Sequence, residues 1–473
     1  MRKLLFLLIF LCPLLHATQY EVGPGQTFTT IQSCMTAIAP GDICNAHAST
    51  YNENNLTWGA AGTVGNYKTL QNNGTDIITI NCTSSPCYTP KSHTKIIGNS
   101  PSSINLNYTG AGADPTYFRN VHGTSVDDVI ISNVTITISG GTGEGFCGTI
   151  ADSDLLTITH TVCHIAPTVT GSMDGWDTLF ASHMTFDNNL IYGDDCSGSD
   201  THLEDGLVLS GTNITIGPNN IFHDGCSFDN HPDAIVVQGD GDRGGSPTAS
   251  VTVKQNTIYN FTQGIYNDAI HNNMTSLLDY DNVIYELSTY RYGGVASKMN
   301  GIVNDGENVS GGTYNIVAGI YNNVVDVKLI SFYCLRMNAA SSALTIKNNI
   351  WLTPIFTGVF LNCPGVTIDY NYYSQGDTTP IKWDPTGGGG GTNYSLAAFQ
   401  GSGHGETNGA TGTANLNSNY TEKSASPTRG IGLDLTAIFT VDRNGATWPS
   451  GSAWDIGAFL YSAPPATVIY RRR

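Results

Sequence analysis

Met184-Thr185-Phe186-Asp187-Asn188-Asn189-Leu190-Ile191-Tyr192 is answered by Ile214-Thr215-Ile216-Gly217-Pro218-Asn219-Asn220-Ile221-Phe222, and then by Val251-Thr252-Val253-Lys254-Gln255-Asn256-Thr257-Ile258-Tyr259. Each copy is a short apolar strand, a turn, an asparagine and a second apolar strand. The ending returns at Asn282-Val283-Ile284-Tyr285, Asn323-Val324-Val325, Asn349-Ile350-Trp351 and Asn371-Tyr372-Tyr373, with an earlier copy at Asn133-Val134-Thr135-Ile136. Counted from the shared asparagine, the steps are 30, 37, 26, 41, 26 and 22 residues, and the 56 from Asn133 to Asn189 fit two coils. A fixed core repeated at variable intervals describes a solenoid whose loops vary while its strands stack. One coil cannot bury its inward side chains alone, so the coils pile into one core. Asparagine at the repeated turn suits a left-handed backbone and lets side-chain amides hydrogen-bond along the stack. The expected fold is all-β, a right-handed single-stranded parallel β-helix.

The ends set its limits. Met1 to Ala17 has a charged start (Arg2, Lys3), an apolar run and a small-residue cleavage site, the pattern of a secretory signal peptide. The β-helix is expected over 18–375. It opens with a short amphipathic helix, Thr27 to Ala39, followed by Pro40-Gly41-Asp42 and a first strand. This opening resembles that of pectate-lyase-like β-helix proteins, where such a capping helix covers the first coil's open edge. A glycine-rich stretch over 376–424, with five glycines at 387–391, reads as flexible. Residues 425–462, ending in Trp454-Asp455-Ile456-Gly457-Ala458-Phe459, resemble a terminal module common after bacterial β-helix repeats, a cap or docking element. The tail 463–473 is expected to be disordered.

Composition points outside the cell. Without Cys12 the 11 cysteines become ten, an even number suited to an oxidising compartment. Cys196 and Cys226 are 30 apart and Cys334 and Cys363 are 29 apart, spacings that would stack each pair on adjacent rungs; Cys34–Cys44, Cys82–Cys87 and Cys147–Cys163 are the expected remainder. Net charge is −18, and removing Arg2, Lys3 and the three C-terminal arginines leaves 15 basic residues against 38 acids, or −23. Such a surface repels nucleic acid and anionic membranes. It also repels uronic-acid polymers unless cations such as Ca²⁺ bridge. No stretch beyond the N-terminal one approaches the length of a membrane span.

Acids and histidines crowd between Asp174 and Arg243. Asp177, Asp205 and Asp233, spaced 28 and 28, each precede a similar apolar strand and would form a column of carboxylates on neighbouring coils. Like charges so close resist joint ionisation. The column can share a proton for acid–base catalysis, bind Ca²⁺ through its oxygens, or simply hold turns; Glu204, His202 and His231 stand beside it. His202-Leu203-Glu204-Asp205-Gly206 and His231-Pro232-Asp233-Ala234 resemble the first two motifs of polygalacturonase-like β-helix hydrolases. That resemblance implies Asp205 positioning water and Asp233 protonating the leaving oxygen. The family's Gly-His-Gly and Arg-Ile-Lys have no counterpart in order: Thr262-Gln263-Gly264 and Lys298-Met299-Asn300 stand in their places. Resemblance to the lyase relatives implies instead acids holding Ca²⁺ against a substrate carboxylate, with Arg243 as the base. Tyr285, Tyr290 and Tyr292 group near the next coil and could stack on sugar rings. Two classes follow: a secreted polysaccharide lyase or glycoside hydrolase working in a groove near Asp205 and Asp233, or a non-catalytic glycan-binding or adhesive solenoid. Either way the expected partner is extracellular polysaccharide.

Overall fold

A computed structural model describes residues 17–110, 118–140, 145–166, 171–194, 201–203, 205–224, 232–239, 248–269, 272–285, 291–292, 295–296, 300–306, 314–327, 335–338, 343–352, 359–362, 365–374, 378–384 and 391–462. The chain is a parallel β-solenoid with three ladders of strands and little helix. The repeated apolar endings form a 13-stranded parallel sheet, hereafter the third sheet, from Ser49–Asn52 to Ala410–Gly412. The other two ladders merge into one 26-stranded sheet, because the long strands Gly171–Ser182 and Asp205–Ile216 run from the first ladder into the second. The first ladder carries Asp233–Gln238, Gln263–Asp268, Asn300–Asp305 and Leu335–Asn338, and the second carries Thr248–Lys254, Met274–Tyr280 and Ile316–Tyr321. No helix among the described residues is long and apolar enough to cross a membrane.

Alternation in the third sheet fills the interior. Ile80, Leu106, Ile136, Cys163, Ile191, Phe222, Ile258, Ile284, Val325, Trp351 and Tyr373 stand in register and are all buried. Beside them runs an asparagine seam. Asn189, Asn220, Asn256, Asn282, Asn323, Asn349 and Asn371 follow one another at 2.9–3.1 Å, each Oδ1 after the first accepting from the asparagine before it. From Asn220 onward each Nδ2 also donates to a backbone carbonyl. The true steps from Asn189 are 31 and 36 residues before the series continues as expected, since Asn220 and not Asn219 enters the seam. The two jobs assigned to one asparagine are split between neighbours: the residue before each seam asparagine takes the left-handed turn, with φ between 52° and 62° at Asn188, Asn219, Gln255, Asp281, Asn322, Asn348 and Tyr370.

The seam ends on an acid. Glu406 Oε1 accepts from Asn371 Nδ2 at 2.8 Å and from the Tyr373 hydroxyl at 2.6 Å. Burial pushes the Glu406 carboxyl up to about 7. Asp279, also buried, is pushed up to about 7 by burial, against the Asn267 amide that holds it at 2.9 Å. Both acids keep their protons in the folded chain through a range where the unfolded chain has released them. Their contribution to stability is complete below about pH 4, erodes as pH rises and is lost above about pH 7. The melting temperature is therefore expected to fall between pH 5 and pH 8, and Glu406→Gln to flatten part of that slope. A melting profile that rises across this interval would contradict the assignment.

Both ends are covered. The capping helix is shorter than the sequence suggested, Ile31–Ala37, with Thr30 as N-cap and the Glu53 carboxylate accepting from Ile31 and Gln32 backbone N–H groups at 2.8 Å. It buries Ile31, Cys34 and Met35, and Cys34 is bonded to Cys44. Cys82–Cys87 and Cys147–Cys163 are also formed, whereas Cys196, Cys226, Cys334 and Cys363 lie outside the described residues. At the other end the ladder passes beyond residue 375. Ala410–Gly412 pairs with Tyr372–Ser374, and the helix Leu396–Gly401 packs Phe399 among Trp383, Tyr394 and His404. Much of the stretch read as flexible is thus folded onto the last coil, because its aromatic residues find a partner there. Residues 428–460 do not close the stack but run along its flank: Leu435, Phe439, Trp448 and Trp454 pack on Tyr280 and Tyr321, and Ile456, Ala458 and Phe459 on Val283, Val324 and Ile350.

Candidate functional site on the first sheet

The aspartate column exists, with one member exchanged. Asp205 pairs with Asp233, and the Asp233 backbone N–H donates to Asp205 Oδ1 at 3.2 Å. The Asp205 N–H donates in turn to Asp174 Oδ1 at 3.1 Å. Asp177 is opposite Val208, three residues out of step, because that coil has 31 residues and not 28. Asp174 takes the place expected of Asp177. In the other direction the column continues as Gln263 and Asn300, so its acidic part ends at Asp233. The Asp174 and Asp205 carboxylates each grip the start of the next strand.

Of the other sequence candidates, Tyr285 is the one whose side chain is described, and it lies elsewhere. Glu204, His231, Arg243 and Tyr290 lie outside the described residues. His202 belongs to the strand Thr201–Leu203, beside Gly171–Met173, and Tyr292 to a small antiparallel pair with Val295; the side chains of both lie outside the described part. Tyr285 is on the third sheet, a different face from Asp233. It stacks on Tyr259 at 5.1 Å, continuing an outward column that includes His164, Tyr192 and His223.

A denser constellation lies further along the same strands. Gly264-Ile265-Tyr266-Asn267-Asp268 and Gly301-Ile302-Val303-Asn304-Asp305 pair residue for residue on adjacent rungs, and Arg336 follows Val303 on the next. Ile265 and Ile302 are buried in the core, and Asn267 reaches Asp279 and Asn304 at 2.9 and 3.1 Å. Alternation then turns Tyr266 and Asp268 to the other face. Burial, with Asp305 one rung away, pushes the Asp268 carboxyl up to about 7. Burial also raises the Tyr266 phenol far above its ordinary value, and the charges of Asp268, Asp305 and Asp233 add to this while Arg336 opposes it. Near neutral pH the face therefore offers an Asp268 carboxyl close to its titration point beside Asp305, a phenol that stays protonated and a guanidinium. The repeated Gly-Ile-x-Asn-Asp pentapeptide, 37 residues apart, was the sequence signal for it. Among the described residues no group of three or more His, Cys, Asp or Glu is arranged to hold a metal ion.

No protein-family model and no curated protein matches this sequence. Solved structures do. The chain is similar to pectate lyase Pel9A, 12% identical over 94% of this chain and 97% of that one with a TM-score of 0.47. It is similar to XylC, solved with xylose, 9% identical over 94% and 98% with a TM-score of 0.50. A PL6 alginate lyase solved with a trisaccharide is 12% identical over 80% and 91%, with a TM-score of 0.43. At such identities the likeness is one of fold.

Proposed function

We propose that this member of the parallel β-helix superfamily is a secreted, carbohydrate-active protein that cleaves an extracellular polysaccharide on the outer face of its first sheet. The observation that carries the reading is the Asp268–Asp305 pair beside Tyr266, Asp233 and Arg336. A carboxyl with a pKa near the working pH is suited to proton transfer. Asp268 would give its proton to the glycosidic oxygen, while ionised Asp305 would act as base or nucleophile. Adjacent rungs lie about 4.8 Å apart, close to the roughly 5 Å between the carboxyls of a retaining glycosidase. In the lyase form of the reading, Arg336 would face the substrate carboxylate and stabilise the charge that builds on it. Ca²⁺ would find its hard oxygen donors in Asp268 and Asp305 and complete its shell from a carboxylated substrate. Asp205 and Asp233 would hold the groove's edge. Export is supported by the N-terminal signal pattern and by the three disulfides.

The test is a polysaccharide panel, acidic and neutral, incubated with the mature chain with and without Ca²⁺. Ultraviolet absorbance follows unsaturated products and a second assay follows reducing ends. Absorbance that depends on Ca²⁺ identifies a lyase, and reducing ends alone identify a hydrolase. Glycan binding without either signal, unchanged by Asp268→Asn, would leave the adhesive solenoid as the correct reading.

A further inference from the structure

Where the C-terminal segment crosses the third sheet, a cavity of about 340 Å³ opens between Tyr285, Tyr420, Phe459, Val283 and Arg443. This volume suits a small ligand. Its cation is built in from three sides. Arg443 Nη1 donates to the Asn256 carbonyl at 2.5 Å and to the Asp281 carbonyl at 3.3 Å, and Nη2 donates to the Thr257 hydroxyl. Among the described residues these are its hydrogen bonds, so Nε–H and one Nη2–H are left over from five donors. The guanidinium is thus fixed in plane with donors to spare, the arrangement that suits a carboxylate. Asp281, the nearby acid, is itself buried, and burial raises its pKa well above the ordinary value.

The walls select what accompanies the anion. Tyr285 and Tyr420 lie 5.2 Å apart and tilted, and the Tyr420 hydroxyl is tied to Asp326 at 2.8 Å, which holds its ring at the opening. Val283 and Phe459 give an apolar floor and Asn419 a polar rim. We propose that this cavity is a second ligand site, taking one hexuronic acid residue with its carboxylate on Arg443 and its ring against the two tyrosines. Against a net charge of −18 a uronate needs such a fixed cation to dock. The site is on a different sheet from the proposed cleavage face, so it would hold a polymer without cutting it.

Titration of the full mature chain with D-galacturonate and D-glucuronate, followed by ligand-observed NMR, tests the assignment. D-galactose, D-glucose and acetate serve as controls. The uronates are expected to bind about tenfold or more tighter than the neutral sugars and acetate. Arg443→Lys, which keeps the charge and loses the planar fork, and Tyr420→Ala, which removes a wall, should each weaken the uronates about tenfold. Arg443 also braces the fold, so if Arg443→Lys melts early, Tyr420→Ala decides. Equal affinity for uronate and neutral sugar overturns the proposal. So does uronate binding that survives Tyr420→Ala but disappears in Arg336→Ala, which would place the sugar on the first sheet.

Discussion

Asp268→Asn is expected to slow polysaccharide cleavage by about 10²- to 10⁴-fold, the range for loss of a positioned general acid, while leaving the melting temperature unchanged or slightly higher. The two halves of this expectation have one cause. Asp268 is buried beside Asp305, and its carboxyl is held up to about 7 by that burial and then by that neighbour. An amide fills the same space and carries no charge to desolvate, so stability does not suffer, but it has no proton to give. The neighbour supplies a second readout. Asp305→Asn removes the base or nucleophile together with a like charge, so the rate should fall, and the alkaline limb of the residual pH–rate profile should move to lower pH as the Asp268 pKa drops. Full activity in Asp268→Asn would remove proton transfer from this pair.

Asn323→Leu should cost about 3–6 kcal/mol of folding stability, read from urea unfolding, because it strands several buried polar groups at once. Asn323 Oδ1 accepts both the backbone N–H and the Nδ2 of Asn282, at 2.9 and 3.0 Å. Its Nδ2 donates to the Asp279 carbonyl at 2.8 Å and to Asn349 Oδ1 at 3.0 Å. Leucine is close in size and returns some apolar burial, but each orphaned group lies inside the solenoid, away from water. Asn322, one residue earlier, supplies the left-handed turn at φ 52°. Asn322→Gly should therefore be tolerated far better than Asn323→Leu. Similar losses for the two would mean that the seam adds little.

The solenoid was legible because its signal is local and repeated: an asparagine followed by alternating apolar residues recurs whatever the loop between copies. Register was less legible. Asn219 and Asn220 are neighbours of the same type, and only the pairing of Leu190 with Ile221 shows which one enters the interior. The same uncertainty, enlarged by a coil of 31 residues, put Asp177 in a column that belongs to Asp174. Asp268 and Asp305 escaped notice because an Asn-Asp pair at the end of a strand looks like a turn. Their significance depends on Tyr266 and Arg336, from other strand positions and rungs, which no spacing rule marks. Tyr285 followed the logic of nearness in sequence, yet the corner after Asn282 carries it onto another face.

The seam of amides also has a direction. From Asn220 onward every member offers its oxygen backward and its amide nitrogen forward, so any internal coil there can be duplicated or deleted without upsetting the polarity of its neighbours. The last member needs an acceptor, and Glu406 Oε1 fills that position. Growth of this architecture by copying coils is therefore free in the middle and constrained at the end. A lengthened descendant would keep one terminal carboxylate, however many amides preceded it.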